Sequence, residues 1–258
     1  MPTAERVARY GTERLQVIYD NMPEDDFRQE YECEFVDEAT AWITWEEIRS
    51  IQDAELDCLM VSGVDAAMNA ISTLQNWVPR GKTELAHVVG VDVGRTRNTT
   101  EIYVIGLSRE GSFPLRLAIT LDNVDFDGQY AVMDRLLRAV PIVSMWIDMN
   151  GIGRNLAENL EGRFPGKAKG MTFTNATKAL WSSDAKMLVQ QHKARIPPDR
   201  DLAYQIHSIK RKVTAARNTV FDTDTNEKHH ADRYWAWALA LSAAKILSGG
   251  SGMTVQEY

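Results

Sequence analysis

The chain has 258 residues with an apolar fraction of 44%, enough for one sizeable core with appendages or for two small domains. No apolar run reaches membrane-spanning length, the longest being about "WAWALALSAA", and the charged N-terminus "MPTAERVARYGTERL" does not read as a signal peptide. The net charge of −7 hides an asymmetry: residues 1–70 hold 17 acidic and 5 basic side chains, and residues 71–258 hold 19 acidic and 24 basic ones. The two parts read as different modules, and the mildly basic remainder is compatible with a polyanion partner. Cys33 and Cys58 lack metal-site spacing and read as reduced thiols.

Taken in order, residues 3–20 are expected to be helical. "MPEDDFRQEYECEF" follows, with Pro23 near a helix start and acidic residues where the helix dipole favours them. "TWEEIRSIQDAEL" offers Thr44 and Glu47 at capping-box spacing, and "NWVPRGKTELA" reads as a junction. Three β-rich runs come next, "AHVVGVDVG", "TEIYVIGLS" and "LRLAITLD", whose short connections imply antiparallel neighbours. A helical "DGQYAVMDRLLRAV" leads to a fourth strand, "IVSMWIDMNG". "GRNLAENLEGRF" is a helix before a fifth strand, "KAKGMTFT", so these two crossovers are parallel. "TKALWSSDAKMLVQQHK" and "PDRDLAYQIHSIKR" read as helices, "KVTAARNTVFDT" as a short hairpin and "HHADRYWAWALALSAAKIL" as a final helix. A flexible tail, 249–258, ends the chain. Three antiparallel strands, then β-α-β-α-β, then helices is the element order of the ribonuclease-H-like fold. The expectation is therefore an α/β fold: a mixed five-stranded sheet, strands four and five parallel to the first, flanked by helices, with an N-terminal helical segment.

The stretch "VVGVDVGRTRNTT" ends an apolar run on Asp92, and a carboxylate there is costly unless a cation, a donor or a metal answers it. Read alone, it allows a phosphate cradle, a metal site or an ordinary turn. Asp148 ends the fourth strand in "WIDMNGIGRNL", and the element order makes that strand the neighbour of the first. Asp232 opens the final helix in "HHADRYWA". Three carboxylates meeting in a low-dielectric cleft repel one another, and divalent cations resolve the repulsion. An all-oxygen set favours Mg²⁺ or Mn²⁺, and two such ions about 4 Å apart cleave phosphodiesters. His229 and His230 are candidates to orient Asp232, bind a phosphate or transfer a proton, though paired histidines also occur as a solvated helix start. Arg95, Arg97, Lys178, Lys210 and Arg211 are candidates for phosphate contacts, against the plainer reading of solvated charge. "RGKTE" at residues 80–84 imitates the end of a phosphate-binding loop, but Asn76 stands where that loop needs glycine. No ATP site is expected in this chain.

"GVDVGRTRNTT", "WIDMNGIGRNLAENL" and "HHADRYWAWALAL" resemble the three acidic motifs of the nuclease domain of large terminase subunits from tailed phages, above all the Mu-like branch. "FRQEYECEF" resembles the segment that follows the packaging ATPase in those proteins. The resemblance covers residues 22–248. It implies a two-metal endonuclease that cuts concatemeric viral DNA during genome packaging, with Asp92, Asp148 and Asp232 as ligands. Arg233 follows Asp232 where many relatives carry a second carboxylate, and is a further candidate for a DNA contact. Residues 1–80 would then be the acidic helical linker at the end of an ATPase domain absent from this chain, and 81–248 the nuclease. The implied partners are double-stranded DNA, the packaging ATPase, the portal and the small terminase subunit, with no membrane. The implied setting is the cytoplasm of the bacterial host and, transiently, the procapsid portal. Two rival readings remain: an actin-like or sugar-kinase-type ATP-binding domain, and a non-catalytic module docking on a motor.

Overall fold

The computed structural model describes residues 3–31, 41–94, 99–151, 153–213, 219–223 and 231–248. Arg95, Arg97, Asn98, His229, His230, Cys33 and the tail lie outside the described residues. Four short helices come first: α1 (Thr3–Tyr10), α2 (Glu13–Asp20), α3 (Glu24–Tyr31) and α4 (Trp45–Ile51). The single helix expected over 3–20 is divided at Gly11 and Thr12, because the Thr12 hydroxyl accepts the Leu15 N–H at 3.2 Å and caps a new helix. Thr44 and Glu47 form the reciprocal capping box that their spacing predicts.

β1 (Leu59–Ser62) and α5 (Val64–Trp77) precede β2 (His87–Asp92), β3 (Thr100–Gly106) and β4 (Phe113–Leu121). Then come α6 (Phe126–Ala139), β5 (Ile142–Asp148), α7 (Gly153–Arg163), β6 (Ala168–Met171), α8 (Asn175–Gln190), β7 (Ala194–Arg195) and α9 (Arg200–Ser208). The hairpin β8 (Lys210–Val213) and β9 (Thr219–Asp222) leads to α10 (Asp232–Ser248). The five expected strands lie in the expected directions: β2, β3 and β4 are antiparallel, β5 is parallel to β2, and β6 is parallel to β5. This is the ribonuclease-H-like arrangement. The sheet is wider than five strands, however, with seven among the described residues. β1 adds in parallel beside β4, and the two-residue β7 pairs with the start of β4. β1 is four half-exposed residues with no apolar alternation, so its pairing rests on a partner far away in sequence.

β2, β3 and β4 read as nearly continuous apolar runs because helices cover both faces of the sheet. On one face Ala67, Ala70, Ile71 and Leu74 of α5 pack with Val132, Leu136 and Leu160 of α6 and α7 against Val89, Val91, Ile102 and Val104. On the other, α10 lies against Val88, Tyr103 and Ile105, with α4, α8 and α9 around it. α10 is buried on every side from Tyr234 to Ala244, as a central helix must be. Residues 41–52 are joined to this layer: Ala41 bridges Lys210, and the Trp42 N–H donates to the Ile209 carbonyl at 2.7 Å. Among the described residues, no helix is long and apolar enough to cross a membrane.

The contact between α10 and β2 is backbone on backbone. A Cβ built on Gly90 would lie 2.1 Å from the Ala236 carbonyl oxygen and 2.5 Å from the Ala240 amide nitrogen. Gly90→Ala is therefore expected to lower the unfolding free energy by about 3 kcal/mol or more in urea denaturation. A loss under about 0.5 kcal/mol would mean that α10 simply moves outward. At the opposite end of β2, His87 is fully buried, paired through Nε2 with the Thr83 hydroxyl at 2.9 Å, with Nδ1 lacking a partner. Burial pushes the imidazole down to about 4, and Arg116 adds to this while Glu84 opposes it. The unfolded chain thus binds more protons between the usual histidine value and pH 4, so His87 costs stability as pH falls through that window. The loss reaches roughly 3 kcal/mol at its acid end. The difference between wild-type and His87→Gln unfolding free energies should change with pH across that interval. A pH-independent difference would show that His87 protonates freely in the fold.

Candidate active site

The sheet register brings an acidic row together at one edge. Val91 pairs with Ile147 and Gly90 with Trp146, so Asp92 and Asp148 end neighbouring parallel strands at matching positions. Across β3, Asp92 pairs with Glu101, which pairs with Thr120 of β4. Asp232, the first residue of α10, comes down on the same end from the helical layer. Asp92, Asp148 and Asp232 line one cavity of about 350 Å³, together with Asn150, Phe173, Lys178, Asp222, Thr223 and Trp235.

Asp148 and Asp232 are each held by a local hydrogen bond. Asp148 is buried, and its carboxylate accepts the Asn150 N–H at 2.9 Å in the turn after β5. That turn is tight: a Cβ on Gly153 would lie 2.0 Å from the Asp148 carbonyl oxygen, so α7 begins directly against the strand end. Asp232 accepts the Thr99 hydroxyl at 3.3 Å. Thr100 turns inward, accepting the Gly94 N–H and donating to Gln129, each at 3.0 Å, and so ties the loop after β2 to α6. Of the polar residues ending that loop, Thr99 serves the site and Thr100 the core.

Burial pushes the Asp92 carboxyl well above the usual range, and Asp232 and Asp148 push it further, against the pull of Lys178. Burial lifts Asp148 to about 6, opposed by the Asn150 N–H and Lys178. Glu101 rises to about 7 through burial, with Asp232 adding to it and Arg233, Thr120 and Thr99 opposing. Among the described residues that line the cavity, Lys178 is the cation. Its ammonium lies 4.7 Å from the centre of the Trp235 ring, within cation–π range.

Of the other expected contacts, Arg95 and Arg97 lie outside the described residues, and Lys210, Arg211 and Arg233 are not among the residues that line the cavity. Lys210 and Arg211 belong to β8 itself, and the Arg211 guanidinium lies 5.7 Å from the centre of the Trp42 ring. Arg233 points away from the cavity toward Glu101 and Asp199. Asp222, Asn150 and Glu101 are additions to the sequence-derived set. Glu101 carries the same signal as Asp92, an acid set in an apolar strand, "TEIYVIG". Asp222 ends the four-residue β9 and Asn150 lies in the turn after β5, so neither interrupts a long apolar run.

The donor set suits a hard divalent cation: it is all oxygen, and Asp92, Asp148, Asp222 and Asp232 share the cavity with one cation, Lys178, among the described lining residues. Among the described residues, no three acidic, histidine or cysteine side chains stand close enough to share one ion. The fit is thus of charge and donor chemistry, not of a closed coordination sphere.

No protein-family model matches the chain, and no curated protein matches it. Solved structures do. The large terminase nuclease of the thermophilic phage G20c superposes with a TM-score of 0.52 at 18% identity, covering 61% of this chain and 81% of that one. The same nuclease with bound magnesium gives 0.50 at 18% identity, covering 61% and 80%. The large terminase of bacteriophage HK97 gives 0.55 at 12% identity, covering 85% of this chain and 47% of that one. At these identities the likeness is one of fold.

The raised carboxyls carry a stability consequence. A carboxyl raised by folding binds more protons in the native state, so stability is lost as pH rises from the ordinary carboxylate range through the folded values near 6 and 7. Asp92→Asn should therefore raise the melting temperature in EDTA at pH 7, by about 3 °C per kcal/mol of relieved repulsion. It should also flatten the decline between pH 4 and 7. A lower melting temperature for the variant across that range would refute the repulsion argument.

Proposed function

We propose that the chain is a metal-dependent DNA endonuclease serving phage genome packaging. The observation that carries this reading is the meeting of Asp92, Asp148 and Asp232, from two strands and a helix, in one cavity whose carboxylates repel one another. The fold likeness to large terminase nucleases supports it, as does the magnesium bound in the G20c enzyme. The Mu-like assignment rests on the spelling of the three acidic motifs.

In this reading Asp92, Asp148 and Asp232 would hold two Mg²⁺ or Mn²⁺ ions, which supply charge neutralisation and water activation at the scissile phosphate. Asn150 fixes Asp148 through its N–H, and Thr99 fixes Asp232, so little reorganisation is left for the moment of reaction. Lys178 keeps a positive charge at the cavity wall toward an incoming phosphate. Residues 81–248 carry the nuclease. Residues 1–80 form the connection toward a packaging ATPase, with β1 joining the sheet edge and α4 and α5 packing on its two faces. The further partners are duplex DNA, the portal and the small terminase subunit, in the host cytoplasm and transiently at the procapsid portal.

The test is plasmid digestion with Mg²⁺, Mn²⁺ or EDTA. Wild type should cut with either ion and stop with EDTA. Asp92→Ala, Asp148→Ala and Asp232→Ala should each lose at least about a hundredfold in rate. Undiminished cutting by the three variants removes the site assignment, and cutting that persists in EDTA removes the metal mechanism.

A further inference from the structure

Two adjacent charged residues open α10 and point in different directions. Asp232 faces the cavity, whereas Arg233 runs behind it. The Arg233 guanidinium lies between two carboxylates, with Nε 3.6 Å from Glu101 Oε1 and Nη1 3.4 Å from Asp199 Oδ1. Its backbone N–H donates to Gln205 Oε1 at 2.9 Å. Both carboxylates are themselves fixed. Glu101 accepts the Thr120 hydroxyl at 2.9 and 3.0 Å, and Asp199 caps α9 by accepting the Leu202 N–H at 2.8 Å. The Arg233 side chain is 21% exposed and that of Glu101 only 3%. The first turn of α10 is thus held to β3 and to α9 through groups outside the cavity, while Glu101 stands directly across the strand pair from Asp92.

We infer that Arg233 is a positioning residue. It pins the first turn of α10 so that Asp232 stays opposite Asp92, and it offsets the Glu101 charge so that the row's excess negative charge is confined to the cavity. A guanidinium occupied in this way is not a phosphate contact. The kinetic and DNA-binding arms of the test rest on the nuclease reading; the unfolding arm does not.

The experiment is a double-mutant cycle on the full chain with Arg233→Gln, Glu101→Gln and both together, with Arg233→Lys as the conservative variant. Arg233→Gln should leave duplex-DNA affinity in EDTA and its salt dependence unchanged. It should lower kcat about tenfold or more with KM unchanged, the mark of lost orientation and not of lost binding. Arg233→Lys should recover part of the rate. The double variant should come within about threefold of Glu101→Gln alone, because the unpaired buried carboxylate does the damage. The same coupling should appear in unfolding free energies, where the double and Lys variants carry the test if Arg233→Gln does not fold. A fall of about one unit in the salt slope on Arg233→Gln would make the residue a phosphate contact and overturn the inference. Additive losses in the double variant would overturn it too. Absence of cleavage by the wild type, by contrast, would sink the nuclease reading and leave the coupling between Arg233 and Glu101 to be judged from unfolding alone.

Discussion

At Gly90 the backbone of β2 meets the backbone of α10, with the Ala236 carbonyl and the Ala240 amide filling the space a side chain would need. This contact fixes where the acidic ends lie. From Ala236 back to Asp232 is four residues of helix, about 6 Å at the α-helical rise. From Gly90 on to Asp92 is two residues of strand, about 6.6 Å. The helix start and the strand end therefore arrive level with each other. Small residues along the inner side of α10, Ala236, Ala240, Ala243 and Ala244, permit the approach, and they are all buried. A larger side chain at Gly90 would both weaken the core and lift Asp232 away from Asp92.

Such closeness has an electrostatic cost. Asp92 is disfavoured first by burial and then by Asp232 and Asp148, and the fold answers with two cations of different character. Lys178 reaches the cavity on a flexible stem, its ammonium against the Trp235 ring, free to follow charge as it changes there. Arg233 is planar, anchored at several points and directed at Glu101 from behind. One cation is placed to meet a ligand and the other to hold the frame. The difference suits the chemistry of each group, since a guanidinium fork loses less freedom per bond than an ammonium on four methylenes.

The strands were legible because helices bury both faces of the sheet, which leaves near-continuous apolar runs such as "HVVGVD" and "EIYVIG". The acids interrupting those runs were legible for the same reason, which is how Asp92 and Asp148 stand out. Glu101 carried the same mark but opens its strand, where a charged residue also passes for a turn. β1 escaped because four half-exposed residues pair with a strand more than fifty positions on. The break at Thr12 escaped because a helical pattern continues through it, and only the hydroxyl's bond to the Leu15 N–H reveals the cap. Arg233 was read from the sequence as a DNA contact, and its pairing with Glu101 and Asp199 was not legible. Beside Asp232 in sequence, it reads as part of the same charged patch, and only the 3.6-residue turn of a helix sends the two side chains to different partners.

The cavity also joins the sheet to the segment that precedes it. One wall is made by Asp222 and Thr223 at the end of the hairpin. Its first strand, β8, is bridged to Ala41 at Lys210, and Trp42 donates to the Ile209 carbonyl just before it. Trp42 is packed edge-on against Phe221 of β9, and its indole N–H donates to the Ser182 carbonyl of α8 at 2.9 Å, the helix that carries Lys178. Residues 41–42 thus touch both walls, the hairpin through backbone and ring, and α8 through the indole. Packed cores transmit displacement rather than absorb it. Trp42 belongs to the same packed cluster as Val88, Tyr103 and Trp146 of the sheet and the helix α10 that begins with Asp232.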